Sequence, residues 1–164
     1  MTTQRIESQD ISVAGLFQSF YAVPDYQREY VWSTEQVEQL LTDILGEMTG
    51  TDPEHSPEYF IGSIVVCPGQ SGLLDLIDGQ QRMTTLYVTL CAIRDRLRAL
   101  GAADSAVLNS QIAAASIDAS GDEVRRYRLD LQYEDSGDAL TRLSDGKEID
   151  GTGTLSMKNI ANAH

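Results

Sequence analysis

The sequence predicts an α+β domain, and three segments carry that prediction. Residues 33–36 have the form of a helix capping box, and the apolar residues that follow recur at helical spacing as far as Met48. Residues 59–67 and 73–77 are apolar, rich in β-branched side chains and separated by a glycine-containing turn, which predicts a hairpin of two strands. Beyond Gly79, apolar residues repeat at alternating spacings of three and four, which predicts a helix of about 20 residues.

Weaker patterns predict the remaining elements. Residues 10–18 are expected to form a short helix, and Tyr21–Val23 is extended because the proline after it disfavours helix. An alanine-rich helix is expected over residues 102–119, and residues 126–131 alternate like a strand.

The periodicity ends after Tyr133, and polar residues and glycines then dominate. We therefore expect residues 141–164 to be a mobile tail or the start of a truncated element. This predicts a domain over residues 1–134 and a linker or tail over residues 135–164.

Composition excludes several classes of protein. The 164 residues carry a formal charge of -13, which argues against a basic face that grips nucleic acid. The sequence has no apolar run long enough to cross a bilayer and no apolar stretch suited to a signal peptide, so we expect a cytoplasmic protein without membrane contact. Cys67 and Cys91 have neither the spacing of a zinc site nor that of a disulfide framework, and no metal-binding residues are predicted.

The positive charges are distributed unevenly along the chain. No Lys or Arg lies between Arg28 and Arg82, although ten acidic residues do. Each of these two arginines follows a glutamine, in Gln27-Arg28 and in Gln81-Arg82. Either arginine has a plain structural interpretation as the partner of a carboxylate.

The junction between the second hairpin strand and the long helix is the first candidate site. A helix N-terminus presents unpaired backbone N–H groups that attract anions, and Gly79 allows a ligand close to the main chain. Gln80 and Gln81 offer amide donors, Arg82 offers a planar guanidinium, and Asp78 either caps the helix or holds a metal or a water. The alternative is a capped helix whose Arg82 pairs with an acid.

The aromatic segment over residues 24–32 is the second candidate site. An exposed loop without a structural or binding role rarely contains three aromatic residues as close together as Tyr26, Tyr30 and Trp32. They either pack in the core or face a ligand, where a nucleobase would stack on them.

These motifs together resemble a known family. Val23-Pro24-Asp25-Tyr26-Gln27-Arg28-Glu29-Tyr30-Val31-Trp32, Tyr59-Phe60-Ile61-Gly62-Ser63-Ile64-Val65 and Ile77-Asp78-Gly79-Gln80-Gln81-Arg82-Met83-Thr84-Thr85-Leu86 occur in that order. The succession closely resembles the N-terminal domain of GmrSD-type, modification-dependent restriction enzymes, including phosphorothioate-sensing Ssp-type relatives. The resemblance covers about residues 10–100. It implies a ParB/sulfiredoxin-like fold, in which helices flank a small mixed sheet.

The resemblance also implies a function in bacterial anti-phage defence. It implies a domain that binds and hydrolyses a nucleoside triphosphate, with GTP favoured and Mg²⁺ as a candidate companion. Hydrolysis is expected to be coupled to recognition of modified DNA, which carries either phosphorothioate in its backbone or glucosylated bases. A C-terminal His-Me-finger nuclease domain and homo-oligomers are further expected partners. His55 and His164, the two histidines, have no nuclease context, so we expect no nuclease centre in this chain.

The resemblance gives the candidate residues roles. Asp78, Gln81 and Arg82 are the expected catalytic residues, for phosphoryl transfer to water. The expected nucleotide-binding residues are Gly79, Gln80, Gln27, Arg28 and Thr84. The residues expected to sense modified DNA are Tyr26, Gln27, Arg28, Tyr30 and Trp32.

Two alternatives of other classes stay open. One is a non-enzymatic module that recognises modified DNA through the Tyr26–Trp32 loop and Arg82. The other is a regulatory interaction protein of the antitoxin type, for which the acidic surface is the one feature.

Overall fold

The computed structural model describes residues 6–49, 58–118, 120–133, 138–149 and 154–164. The elements in chain order are α1 (Val13–Leu16), β1 (Tyr21–Val23), α2 (Thr34–Met48), β2 (Val65–Pro68), β3 (Leu74–Asp78), α3 (Gln80–Ala99), α4 (Ala106–Ile112), β4 (Ala113–Ile117), β5 (Glu123–Tyr127), β6 (Leu129–Leu131), α5 (Ala139–Ser144) and α6 (Leu155–Ala163). The predicted α+β class is confirmed.

A small mixed sheet forms the centre of the domain. Its strand order is β2-β3-β1-β6, with β1 parallel to both of its neighbours and β2 antiparallel to β3. Strands β4 and β5 form a separate antiparallel pair. The predicted hairpin and the predicted extended segment at β1 are therefore confirmed.

Helix α3 is the main support of the core. Its buried side chains include Met83, Tyr87 and Cys91, and the helix contacts α4, α5 and α6. The side chains of Tyr87, Cys91 and Arg94 share one buried face because they are spaced at i, i+4 and i+7.

The predicted helices α2 and α3 are confirmed almost to the residue. Helix α2 has the capping box at Ser33, where Ser33 N–H donates to Gln36 Oε1 at 3.0 Å. Toward the end of α3, however, the predicted apolar face is partly exposed, since Ile93 is 45% exposed and Leu97 is 37% exposed.

Three predicted elements differ from the structure in their bounds or their type. The first predicted helix spans only Val13–Leu16, and the strand expected over residues 59–67 begins at Val65. The alanine-rich segment continues from α4 directly into strand β4 at Ala113, because these small side chains pair with β5. Alanine spacing alone does not distinguish a helix from a strand beside a partner.

The expectation of an unstructured tail also fails for the described residues. Helices α5 and α6 both pack into the core, where Leu143 is 1% exposed and Ile160 is fully buried. The boundary expected between residues 134 and 135 lies outside the described residues. Of the helices in the described ranges, none is long and apolar enough to span a membrane.

Candidate functional site

A cleft lies where strand β3 ends and helix α3 begins, and we call it the α3 cleft. Its volume is about 250 Å³. Three stretches of chain form its walls: the aromatic segment over residues 24–32, which we call the aromatic loop, the end of β3 and the first turn of α3. The lining residues are Gln27, Arg28, Trp32, Ile77, Asp78, Gly79, Gln80, Gln81 and Arg82. The structure thus brings both Gln-Arg pairs together, although 52 residues separate Gln80 from Arg28.

Gly79 gives the cleft an open helix N-terminus. It is the N-cap residue of α3 and has a left-handed backbone with φ 87°, a conformation that favours glycine. A Cβ at this position would lie 3.1 Å from the carbonyl oxygen of Ser63. No side chain of the described residues caps the helix, and its first turn contains no acidic residue. The first-turn N–H groups, which have no intrahelical partner, are therefore left for an acceptor from outside the helix.

Gln80 and Gln81 fasten the aromatic loop to the helix, and we call this pair the loop clamp. Gln81 Oε1 accepts hydrogen bonds from the backbone N–H of Val31 at 2.9 Å and of Trp32 at 3.2 Å. Gln81 Nε2 donates to the carbonyl of Glu29 at 3.0 Å, and Gln80 Nε2 donates to the carbonyl of Arg28. Both glutamine side chains are buried. They position the loop rather than present free amides to the cleft.

Arg82 fastens the segment that precedes strand β2. Its Nη1 donates to the carbonyl of Ile61 at 3.0 Å, and its Nη2 donates to the carbonyl of Ser63 at 3.1 Å. Gly62, between these carbonyls, has φ 105°, and a Cβ there would overlap Arg82 Nη1. These two carbonyls lie in the part of the predicted strand that precedes β2. No carboxylate among the described residues pairs with Arg82, contrary to its plain structural interpretation.

Arg28 and Asp78 are the charged groups that remain available in the α3 cleft. Both side chains are exposed, and neither makes a hydrogen bond or an ion pair with the described part of the chain. Gln27 is half-buried and donates from Nε2 to the carbonyl of Ile77 at 3.3 Å. The cleft therefore combines one free guanidinium, one free carboxylate and an uncapped helix start.

The three aromatic residues of the loop have different environments. Tyr26 is 70% exposed, whereas Tyr30 is fully buried and its hydroxyl lies 2.8 Å from Thr85 Oγ1. Burial raises the pKa of Tyr30. Trp32 is half-buried and lines the cleft. Tyr30 is thus part of the core, while Tyr26 and Trp32 present surface to a ligand.

Thr84 does not line the α3 cleft. Its side chain is fully buried, and among the described residues its Oγ1 has no hydrogen-bond partner. Thr85, one residue later, donates from Oγ1 to the carbonyl of Gln81 at 2.9 Å and supports the loop through Tyr30.

Sequence reasoning missed residues that hold the loop from behind. Tyr133 accepts the backbone N–H of Tyr30 at 3.2 Å, and its hydroxyl lies 3.2 Å from Ser156 Oγ in α6. Burial raises the pKa of Tyr133. The signal available in the sequence was a lone tyrosine at the end of an alternating strand, which does not indicate a contact 103 residues away.

The donor set of the cleft suits an anion better than an isolated metal ion. Within the described ranges, no three His, Cys, Asp or Glu side chains are grouped so as to hold a metal. Asp78 alone contributes a carboxylate to the cleft. Mg²⁺ would fit here only as the companion of a phosphate ligand, since it is commonly held by one or two carboxylates, substrate phosphates and waters.

Comparison with known proteins identifies the family. The family model of the GmrSD restriction endonuclease N-terminal domain matches residues 9–162. The chain is also similar to the uncharacterized protein MJ0686 of Methanocaldococcus jannaschii, with 32% identity over 82 residues, which cover 42% of this chain and 14% of that protein. The matched part is thus a small portion of that relative. The chain belongs to the family of GmrSD restriction endonuclease N-terminal domains.

Proposed function

We propose that the chain is a nucleotide-dependent sensor domain, which binds a nucleoside triphosphate in the α3 cleft and hydrolyses it when modified DNA is recognised. The observation that carries the proposal is the uncapped start of α3 beside the unpaired guanidinium of Arg28. GTP is the favoured nucleotide, and modified DNA and a C-terminal nuclease domain are the proposed partners in the full-length protein.

Phosphate binding is the step that the geometry supports best. The helix dipole and the first-turn N–H groups favour negative charge at the start of α3. Arg28 supplies a planar pair of donors that suits phosphate oxygens. A cleft of about 250 Å³ is smaller than the roughly 300 to 1,000 Å³ that encloses a whole drug-sized ligand, so it would hold the phosphates and leave the base outside.

Hydrolysis would depend on Asp78. Its exposed carboxylate, free of described partners, is placed in our proposal against the terminal phosphate, where it orients a water or a Mg²⁺. The roles of Gln81 and Arg82 are narrower than their sequence motif implies. Gln81 holds the loop. Arg82 already donates from Nη1 and Nη2 to two carbonyls, so in our proposal only its remaining N–H groups contact the phosphates.

The aromatic loop supports a link between nucleotide and DNA. It lines the α3 cleft through Arg28 and Trp32 and also exposes Tyr26 to solvent. An exposed aromatic ring stacks on a base or packs against an uncharged sulfur-sized group. In our proposal, one loop therefore senses the modified DNA on its outer side and the phosphates on its inner side.

A binding experiment with matched variants tests this proposal. We expect GTP, titrated by calorimetry into the wild-type chain with Mg²⁺, to bind, and we expect Arg28→Ala to weaken binding by about tenfold or more, because a hydrogen bond between charged groups contributes about 1.5 to 3 kcal/mol. Arg96→Ala, an exposed arginine near the other end of α3, is the control and should bind normally. Equal affinity of wild type and Arg28→Ala for all four triphosphates would refute the cleft assignment.

Phosphate release separates binding from hydrolysis. We expect Asp78→Asn to retain nucleotide binding while the rate of phosphate release falls at least tenfold, with phosphorothioate duplex present or absent. Unchanged release by Asp78→Asn would remove Asp78 from the reaction and leave nucleotide binding standing.

A DNA-binding module without nucleotide chemistry is the second candidate. The exposure of Tyr26 next to the unpaired Arg28 favours it, since an aromatic ring and a guanidinium are both good partners of a nucleic-acid strand. Gel shifts of plain and modified duplexes distinguish the two functions. Binding to modified duplex that is lost in Tyr26→Ala and unaffected by nucleotide would favour this second candidate.

A further inference from the structure

A second cavity lies toward the C-terminal end of α3, and we call it the arginine cavity. Its volume is about 360 Å³, and Arg94, Arg98 and Arg125 line it together with Asn109 and Asp145. Thirteen residues of α3 separate Gln81 from Arg94, which places the two about 20 Å apart along the helix. The arginine cavity is therefore distinct from the α3 cleft.

Arg94 forms the fixed inner wall of the arginine cavity. Its side chain is 5% exposed. Nη1 donates to the carbonyl of Ser144 at 2.7 Å and Nη2 to that of Leu143, while Nε and Nη2 donate to the carboxylate of Asp95. A guanidinium has five N–H donors, so one N–H on Nη1 remains for another acceptor. This buried cation fastens the end of α5, and one N–H group on its Nη1 has no acceptor among the described residues.

Arg98 and Arg125 form the outer wall. Arg98 is 42% exposed and holds the carboxylate of Asp104, with Nε at 2.7 Å from Oδ1. Arg125 is exposed and makes no hydrogen bond or ion pair with the described residues, although its guanidinium lies 5.8 Å from the centre of the Tyr127 ring. The side-chain amide of Asn109 is likewise without a described partner. The cavity therefore has free cationic and amide donors around a fixed one.

The charge in this cavity runs against that of the whole chain. The lining holds three arginines and one carboxylate, Asp145, in a chain whose formal charge is -13. Both oxygens of Asp145 already accept hydrogen bonds, Oδ1 from Tyr127 at 2.6 Å and Oδ2 from Lys147 at 2.9 Å. Asp95 and Asp104 pair with Arg94 and Arg98, whereas Arg125 has no ion pair within the described residues and acts on the Asp145 carboxylate only at longer range.

From this arrangement we infer that the arginine cavity binds a phosphate group, which Arg125 and Asn109 contact from the outside and the free N–H of Arg94 contacts from within. Guanidinium groups pair with phosphate oxygens through parallel hydrogen bonds. The phosphate belongs either to a DNA backbone or to a small free phosphate compound, and the recognition chemistry is the same for both. The inference does not depend on nucleotide binding in the α3 cleft.

Chemical-shift mapping on the ¹⁵N-labelled chain tests this inference. Two probes are titrated separately: sodium pyrophosphate and an unmodified duplex of 20 base pairs. We expect the backbone amide resonances of Asn109, Ala113 and Arg125 to shift. Resonances of residues 79–82 report the α3 cleft in the same spectra, so failure at one site is distinguishable from failure at the other.

Matched arginine variants complete the experiment. Arg125→Ala should weaken binding at the arginine cavity about tenfold and, for the duplex, reduce the salt dependence by about one phosphate contact. Arg96→Ala, whose side chain is exposed on the same helix but does not line the cavity, should leave the affinity unchanged.

The outcomes separate the two sources of phosphate. Shifts with both probes that depend on Arg125 support a DNA-backbone site, and shifts with pyrophosphate alone support a site for a small phosphate compound. No shift at these residues with either probe, or equal losses in Arg125→Ala and Arg96→Ala, would overturn the inference.

Discussion

The two Gln-Arg pairs of this chain are identical in sequence and opposite in structure. The side chains of Gln81 and Arg82 bind backbone groups of the protein itself: Gln81 holds the loop, and Arg82 holds the carbonyls of Ile61 and Ser63. In the other pair, the side chain of Gln27 makes one hydrogen bond to a carbonyl, and the side chain of Arg28 makes none with the described residues.

This difference indicates that the two pairs have different roles. A buried polar side chain with all of its contacts inside the protein builds a site, because unmaking those contacts leaves unsatisfied groups behind. An exposed guanidinium with no partner can bind a ligand without disturbing the fold. We therefore expect the pair at residues 81–82 to govern stability and the pair at residues 27–28 to govern binding.

The largest effect is expected from the loop clamp. Gln81→Leu removes three hydrogen bonds and leaves the N–H groups of Val31 and Trp32 without their acceptor. We expect the free energy of unfolding to fall by about 3 kcal/mol, measured by chemical denaturation. The matched change Gln27→Leu should cost less than about 1 kcal/mol, because one hydrogen bond of 3.3 Å is lost from a half-buried side chain. Equal losses in the two variants would erase the contrast between the pairs.

A smaller effect is expected from the contact between Arg82 and Gly62. Arg82→Ala removes two hydrogen bonds from carbonyls and should cost about 2 kcal/mol. Gly62→Ala introduces a Cβ that overlaps Arg82 Nη1 at a positive φ.

A double-mutant cycle isolates the interaction between these two residues. In the Arg82→Ala background the Cβ no longer meets the guanidinium, so Gly62→Ala should cost less there than in the wild type. Chemical denaturation of the four proteins gives the interaction energy. Strict additivity would mean that Arg82 does not occupy the space above Gly62.

Cys91, midway along α3, makes the stability of the chain depend on pH. Burial raises the pKa of its thiol to about 12, from 9.0. The protonated thiol favours the folded state fully below pH 9, and this contribution is lost as the pH rises from 9 toward 12, where the unfolded chain ionises first. Denaturation across this pH range should show a steeper loss of stability for the wild type than for Cys91→Ala.

Alkylation of the cysteines tests at neutral pH whether damage at the cleft spreads along α3. We expect iodoacetamide to modify Cys67, which is half-buried, well before Cys91, which is fully buried. The order should persist in Gln81→Leu if the damage stays local. Rapid labelling of Cys91 in that variant would show that the loop clamp supports the whole helix.

The smallest effect on stability is expected from Arg28→Ala. Its side chain has no described partner, so the free energy of unfolding should change by less than about 0.5 kcal/mol. The same denaturation experiment measures it. A loss near that of Arg82→Ala would assign Arg28 to the framework of the cleft instead.

The sequence predicted the parts of this fold that depend on local patterns. The capping box before α2, the hairpin β2–β3 and the long helix after Gly79 follow from spacing and turn residues, and so does the location of a cleft at that helix start. The role of each side chain in the cleft does not follow, because its three glutamines and two arginines cannot be told apart until their burial is known.

The mispredicted segments depend on contacts between distant residues. Arg82 donates to the carbonyls of Ile61 and Ser63 in the segment before β2, and α5 is held at its end by Arg94, about 50 residues earlier in the chain. Arg94 carried a usable signal, since it falls on the same helical face as Tyr87 and Cys91. An arginine within a buried stripe indicates a cation that fastens backbone groups rather than a solvated helix end.

The central claim is that the open first turn of α3 and the free Arg28 together hold a triphosphate. The most direct measurement is the change in backbone amide shifts of the ¹⁵N-labelled chain when a non-hydrolysable GTP analogue is added. Our account predicts the largest shifts at Gly79, Gln80, Gln81 and Arg82, and a Kd from the same titration that is about tenfold or more higher in Arg28→Ala. Saturating analogue that leaves these four resonances of the wild type unmoved, or an equal Kd in Arg28→Ala, would contradict it.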